Sequence, residues 1–149
     1  MTITAVKTKL KKIKGEIITI LDDGYPKLLK EIYAPPPLLY CFGNPKLNNE
    51  FPLAVVGSRK ISEYGKQVTE EIVGQLALAG LVIISGLALG VDACAHQAAL
   101  NNNGRTIAVL GSGLDQIYPA QNRRLAQKII DSNGAIISEF PLGCLLYTS

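Results

Sequence analysis

From Phe51 to Ser138 the chain repeats one pattern: a short apolar run that stops at glycine or serine, then a segment whose apolar residues recur at helical spacing. The runs are Leu53-Ala54-Val55-Val56, stopping at Gly57-Ser58-Arg59; Val82-Ile83-Ile84, stopping at Ser85-Gly86; Thr106 to Leu110, stopping at Gly111-Ser112-Gly113; and Ala135 to Ser138. Ser62 is placed to cap a first helix, with Val68, Ile72, Leu76 and Ala79 on one face and Gly80 beyond its end. Asp92 is a natural N-cap for a second helix, Ala93 to Leu100, which closes at Asn101-Asn102-Asn103-Gly104. After Tyr118-Pro119, a third runs from near Asn122 to Asp131 with Leu125 and Ile129 inward. Near-continuously apolar strands separated by helices need cover on both faces. Right-handed crossovers then predict an α/β fold: a Rossmann-like, doubly wound, mainly parallel sheet with helices on both faces.

The 149 residues, 48% of them hydrophobic and 18% charged, suit one globular core. Residues 1–50 read as an irregular, partly helical lead-in, Lys-rich at first and then broken by Tyr25-Pro26 and Pro35-Pro36-Pro37; residues 51–149 carry the Rossmann-like domain. The net charge of +3 misleads, because Lys7, Lys9, Lys11, Lys12 and Lys14 leave only ten basic residues against twelve acidic ones in the rest of the chain. A polyanion must therefore be held by local geometry or by the N-terminal lysines, whose plainer reading is a solvated helix face.

Cys41, Cys94 and Cys144 form no C-x-x-C pair, and His96 is the single histidine, so neither a disulfide framework nor a zinc site is built. A reducing cytoplasm is the expected setting, and no secretory leader is evident. The uncharged stretch Ile72 to Val91 is interrupted by Gly74, Gly80, Gly86 and Gly90, which argues against a membrane span.

Every glycine-rich or polar cluster directly follows a strand: Gly57-Ser58-Arg59, Ser85-Gly86 through Gly90-Val91-Asp92, Gly111-Ser112-Gly113 to Asp115, and Ser138-Glu139. In a parallel sheet these share the carboxyl edge, where α/β sheets bind ligands and where helix N-termini direct their N–H groups. Small residues admit a ligand to the backbone, so the expected guest is a phosphate. Arg59 beside Lys60 offers a planar fork suited to phosphate oxygens, the alternative being a surface arginine neutralised by Glu63.

Familiar phosphate sites do not fit. Gly57 to Ser62 lacks the second and third glycines of a dinucleotide fingerprint, and Ser85 stands where an acidic ribose ligand belongs. A P-loop fails because Ser62 replaces its second glycine and Gln67 follows Gly65-Lys66. There is no Gly-x-Ser-x-Gly elbow, and Asp92 with His96 read as helix cap and helix-surface partner rather than as a catalytic pair.

Ala54-Val55-Val56-Gly57-Ser58-Arg59 with Tyr64-Gly65, Ser85 to Asp92 with Ala95-His96, Gly111 to Asp115 with Tyr118-Pro119 and Asn122, and Ser138-Glu139 resemble the ordered motifs of the DNA-processing protein A (DprA/Smf) family. Tyr25-Pro26, Leu28-Leu29 and Pro36 to Tyr40 with Gly43 resemble its pre-domain segment. The resemblance implies a cytoplasmic single-stranded-DNA-binding protein that protects incoming DNA and promotes loading of the RecA recombinase in natural transformation. It implies a homodimer in the full-length member and no catalytic step, metal or cofactor. Carried over by residue, Gly57, Ser58, Arg59 and Lys60 grip DNA phosphates, with Ser85, Gly86, Gly111, Gly113 and Asn122 lining the same pocket. The family continues past Gly143 into a second basic motif, where this sequence ends in Cys144 to Ser149; a C-terminally incomplete domain is the expectation. The alternative is a nucleotide hydrolase of the phosphoribohydrolase type, whose Pro-Gly-Gly-x-Gly-Thr loop has no counterpart here.

Overall fold

The computed structural model describes residues 2–47 and 49–145. Helix α1 (Ile3–Lys12) leads into strand β1 (Glu16–Thr19), a single turn α2 (Lys27–Lys30) and β2 (Leu38–Gly43). There follow β3 (Pro52–Ala54), α3 (Glu63–Leu78), β4 (Val82–Ser85), α4 (Val91–Asn101), β5 (Thr106–Leu110), a 3-10 turn at Ala120–Asn122, α5 (Arg123–Asp131) and β6 (Ala135–Ser138). All six strands form one sheet in the order β1-β2-β6-β5-β4-β3. The neighbours β3-β4, β4-β5 and β5-β6 are parallel, and β1 and β2 are antiparallel.

The α/β, Rossmann-like expectation holds, with one difference in the winding. Because β3 to β6 follow one another in space as in sequence, every crossover advances in one direction, and right-handed crossovers place α3, α4 and α5 on a single face. Register agrees: Ile83, Thr106, Ala108 and Ile136 point to one side, where Ile83 meets Val73, Ala95 and Ala99, and Ala108 and Ile136 meet Leu125 and Ile129. The reversal of strand order that defines double winding is absent among the described strands. Cover on the second face comes from the lead-in instead, where Tyr25, half-buried Leu29 of α2 and Leu47 pack on Val82, Ile107 and Ile137. That cover is partial, for Val109 in the central strand β5 remains 45% exposed.

The described part of the lead-in is thus less irregular than expected, since β1 and β2 extend the same sheet. Gly43 pairs with Ala135, where its φ of +80 and the nearby Gly134 carbonyl leave no room for a Cβ. Tyr25 is buried and donates its hydroxyl to the Pro36 carbonyl at 2.6 Å, so the proline run serves as an acceptor wall rather than only a breaker. At the sheet's amino edge Arg105 donates to the Asn133 carbonyl (2.6 Å) and the Asn44 carbonyl, and pairs with Glu50 at 3.4 Å.

Helix α3 begins as expected, with Ser62 accepting from the Gly65 N–H at 3.0 Å. Its buried stripe is Val73, Gly74 and Ala77, however, and Ile72 is 53% exposed. The helix rolls toward α4, whose Ala95, Ala98 and Ala99 admit a close approach, and the Gly74 position is filled by the Asn102 side chain. The uncharged run from Ile72 to Val91 divides into the end of α3, a turn at Gly80, β4 and a loop; among the described residues no helix is long and apolar enough to cross a membrane.

His96 departs most from expectation. It is fully buried rather than on the helix surface. The Thr106 hydroxyl donates to the Ile83 carbonyl at 2.7 Å, so the 2.7 Å contact to His96 Nδ1 needs the proton on that nitrogen. Nε2 is left bare, buried and without a hydrogen-bond partner. Burial pushes the imidazole pKa down to about 4, below the ordinary 6.5, so the folded protein holds it neutral. The stabilisation from a neutral His96 is whole above pH 6.5 and is lost as the pH falls toward 4, a total of about 3 kcal/mol at 1.36 kcal/mol per unit. The melting temperature should therefore drop between neutral pH and about pH 4.5. His96→Gln, which does not titrate, should flatten that dependence while lowering stability at pH 7, as scanning calorimetry across the series would read.

Candidate functional site: the strand-end loops

The loops after β3, β4, β5 and β6 lie along the carboxyl edge of the parallel strands, and α4 organises the first two. The Ser58 carbonyl accepts the Val91 N–H at 3.1 Å, which docks the loop from Gly57 to Lys60 on the first turn of α4. Gly57 faces Val91 so closely that a Cβ there would lie 2.7 Å from its methyl group. Gly90 caps the helix with φ +82, and its bare Cα abuts the Ser58 and Arg59 backbone. Asp92 is therefore not the N-cap expected. It sits within the first turn, buried, and accepts from the Gly86 N–H at 3.1 Å, which draws the second loop onto the same helix end. A carboxylate at this position also complements the helix dipole.

Of the nine expected site residues, Gly57, Ser58, Arg59, Lys60 and Gly111 are exposed and Gly86 is half-buried. Ser85, Gly113 and Asn122 are buried and turn inward. The Ser85 hydroxyl donates to the Val55 carbonyl at 2.6 Å, which joins the ends of β3 and β4. Asn122 donates its amide to the Leu87 carbonyl at 2.8 Å, which steadies a residue held at φ +59. These two shape the backbone from below. The Ser58 hydroxyl is also turned onto its own loop, donating to the Lys60 carbonyl (2.9 Å) and accepting from the Lys60 N–H (3.1 Å), an arrangement that fixes the stem of Arg59.

The third loop is roofed. Gly113 donates its N–H to the Cys144 carbonyl at 2.8 Å, Asp115 accepts the Gly143 N–H at 2.8 Å, and a Cβ at Gly113 would strike Pro141. Beneath that roof the Ser138 hydroxyl donates to the Ser112 carbonyl at 2.6 Å and accepts from the Phe140 N–H at 3.0 Å, so the fourth strand end is tied to the third. Gly113 is thereby a packing glycine, and Gly111 keeps the exposed position.

The exposed side chains at this edge are mixed in sign. Arg59 and Lys60 on the first loop and Arg123 and Arg124 at the start of α5 stand with Glu63, Asp115 and Glu139. His96 lies beneath, bonded to Thr106, and is not available as a base for the loops. Among the described residues no three of His, Cys, Asp and Glu come together to hold a metal ion. The expected nine omit Gly90 and Asp92, which seat both loops on α4. The sequence signal for them is the Gly-Val-Asp that closes the cluster after β4, where an acidic residue two positions past a glycine has an N–H to hold.

The chain is thus a Rossmann-like α/β domain whose first two strand-end loops are gathered on the N-terminus of one helix. This chain belongs to the DNA recombination-mediator protein A family, whose model it matches over residues 16–147. It is 48% identical over 125 residues to DNA processing protein DprA of Streptococcus pneumoniae and 46% identical over 132 residues to Protein Smf of Synechocystis. It spans 44% and 33% of the lengths of those two relatives. The crystal structure of the pneumococcal protein superposes with a TM-score of 0.78 at 43% identity, over 93% of this chain and 49% of that one. The Helicobacter pylori DNA processing protein A, solved for its single-stranded DNA binding mode, superposes with a TM-score of 0.74 at 37% identity, over 87% of this chain and 58% of that one.

Gly90 offers the sharpest check on the geometry. Gly90→Ala places a methyl against the Ser58 carbonyl at a positive φ, a combination of strain and clash that should cost about 1 to 3 kcal/mol. Thermal melting should show a loss of that order, and amide exchange should show faster opening at Val91.

Proposed function

We propose that the strand-end loops bind the phosphate backbone of single-stranded DNA, with Arg59 and Lys60 as the cationic contacts and Gly57, Ser58, Gly86 and Gly111 admitting the phosphates to the main chain. Ser85, Gly113 and Asn122 serve the same pocket by holding its backbone. The observation that carries this reading is the seating of the Gly57–Lys60 loop on the first turn of α4, which sets Arg59 on an exposed, shaped turn at the carboxyl edge of the sheet. Family membership supports it. Such contacts grip the backbone and leave the bases outward, so binding is weakly selective for sequence and sensitive to salt.

At the level of the whole protein, the reading is a recombination mediator that protects incoming single strands and promotes RecA loading during natural transformation. It acts in the cytoplasm, as a homodimer, without a metal, a cofactor or a catalytic step. The lead-in up to residue 50 and the domain from residue 51 work as one DNA-binding unit.

Fluorescence anisotropy with a labelled oligo-dT strand tests the site. The unaltered chain should prefer the single strand to a duplex. Arg59→Ala should weaken binding about tenfold, the worth of one charge-assisted hydrogen bond, and flatten the slope of log affinity against log salt by about 0.7. Equal affinity and slope for both proteins would remove Arg59 from the interface.

A further inference from the structure

Helix α1 lies outside the family match, which begins at residue 16, yet it is firmly docked. Leu10 is 2% exposed and shares a core with Leu125, Ala126 and Ile129 of α5. The turn after the helix is closed by the Gly15 N–H on the Leu10 carbonyl at 2.8 Å and the Lys14 N–H on the Lys11 carbonyl at 3.1 Å, which fixes Lys14 at φ +59. Between this turn and α5 runs a groove of about 180 Å³. Its lining is mainly apolar, with Phe42, Ile117 and Ala126 among the lining residues, and Lys14 and Arg123 line it as well.

We infer that this groove is a second contact site for the same single strand, receiving a base on its apolar lining while Lys14 and Arg123 hold the flanking phosphates. The inference rests on the single-stranded-DNA reading above. An apolar lining with an aromatic ring and cations beside it is the combination that holds unpaired nucleotides. Continuity with the strand-end loops gives the path: Ile117 belongs to the connection that follows Gly111 and Gly113, Arg123 opens α5, and the helix leads from there along the groove. From Arg123 to Ile130 the helix covers about 10 Å at 1.5 Å per residue.

Charge supports the same occupant. Residues 2–15 hold five lysines and no acid, and Lys9, Lys11 and Lys12 fall in the last turn of α1. Those lysines suit a helix carboxyl end, but Arg123 and Arg124 open α5, whose first turn has no acidic residue. Cations at a helix amino end oppose its dipole, so helix stability does not account for them, and an anion lying across them would offset that cost. Asp131, at the far end of α5, is engaged by the Gln127 amide at 2.9 Å.

The test combines a double variant with cross-linking, on the full chain. Lys14→Gln with Arg123→Gln changes exposed residues and should not lower the melting temperature. Its affinity for a long oligo-dT strand should fall at least fivefold, and its salt slope should flatten by about 1.4, or 0.7 for each phosphate no longer held. A strand too short to reach past the strand-end loops should be weakened much less. A strand carrying photoreactive 5-iodouracil should cross-link to the peptide that contains Phe42. If the double variant keeps the affinity and slope of the unaltered chain, or cross-links appear only on the Gly57–Lys60 and Gly111–Gly113 loops, the groove is not a DNA site, and the strand-end reading stands. If the unaltered chain binds no single strand, the strand-end reading falls and the groove falls with it.

Discussion

Helix α4 packs against the sheet through alanine, and most of the molecule's organisation follows from that close approach. Ala95, Ala98 and Ala99 let the helix axis come near β4, so that His96 reaches Thr106 on β5 and, through its hydroxyl, the Ile83 carbonyl on β4. The same closeness admits α3 alongside and lets Asn102 fill the space over Gly74. At the other end of the helix it brings Val91 and Asp92 within reach of the first two loops. A bulkier residue at any of the three alanines would lift the helix and loosen core and loops together. Core packing and loop geometry are therefore one constraint, with a buried imidazole in its centre that tolerates neutrality and not charge.

The repeating part of the fold is legible in the sequence because its period is strong. β5 and β6 occupy the predicted runs, Thr106 to Leu110 and Ala135 to Ser138, and α5 turns Leu125 and Ile129 inward as its spacing predicts. What the sequence hides is settled by partners far along the chain. β1 and β2 are recognisable only from their pairing with each other and with β6, where Gly43 meets a residue some ninety positions away. His96 looks like a surface residue on an alanine-rich helix until Thr106 is set beneath it. Asp92 has the composition of an N-cap, but the positive φ available to Gly90 starts the helix two residues earlier.

The site is legible to a similar degree. Glycine and serine after each strand mark the edge, and Gly57 to Lys60 occupy it as exposed loop residues. The inward roles of Ser85 and Asn122 are not legible, since a hydroxyl or amide near a strand-end loop has the same appearance whether it faces a ligand or a carbonyl. The roof over Gly113 depends on residues 138–145 folding back, which local sequence does not announce.

The strand order has one more consequence. Doubly wound sheets gather a ligand into the crevice where the order reverses, a shape suited to a compact molecule such as a mononucleotide. With β3, β4, β5 and β6 in unbroken succession, no such crevice opens among them. The four loops instead form a line, about 14 Å from first to last at the 4.8 Å spacing of adjacent strands. A line of strand-end loops in place of a crevice is the form that the proposed linear ligand would follow.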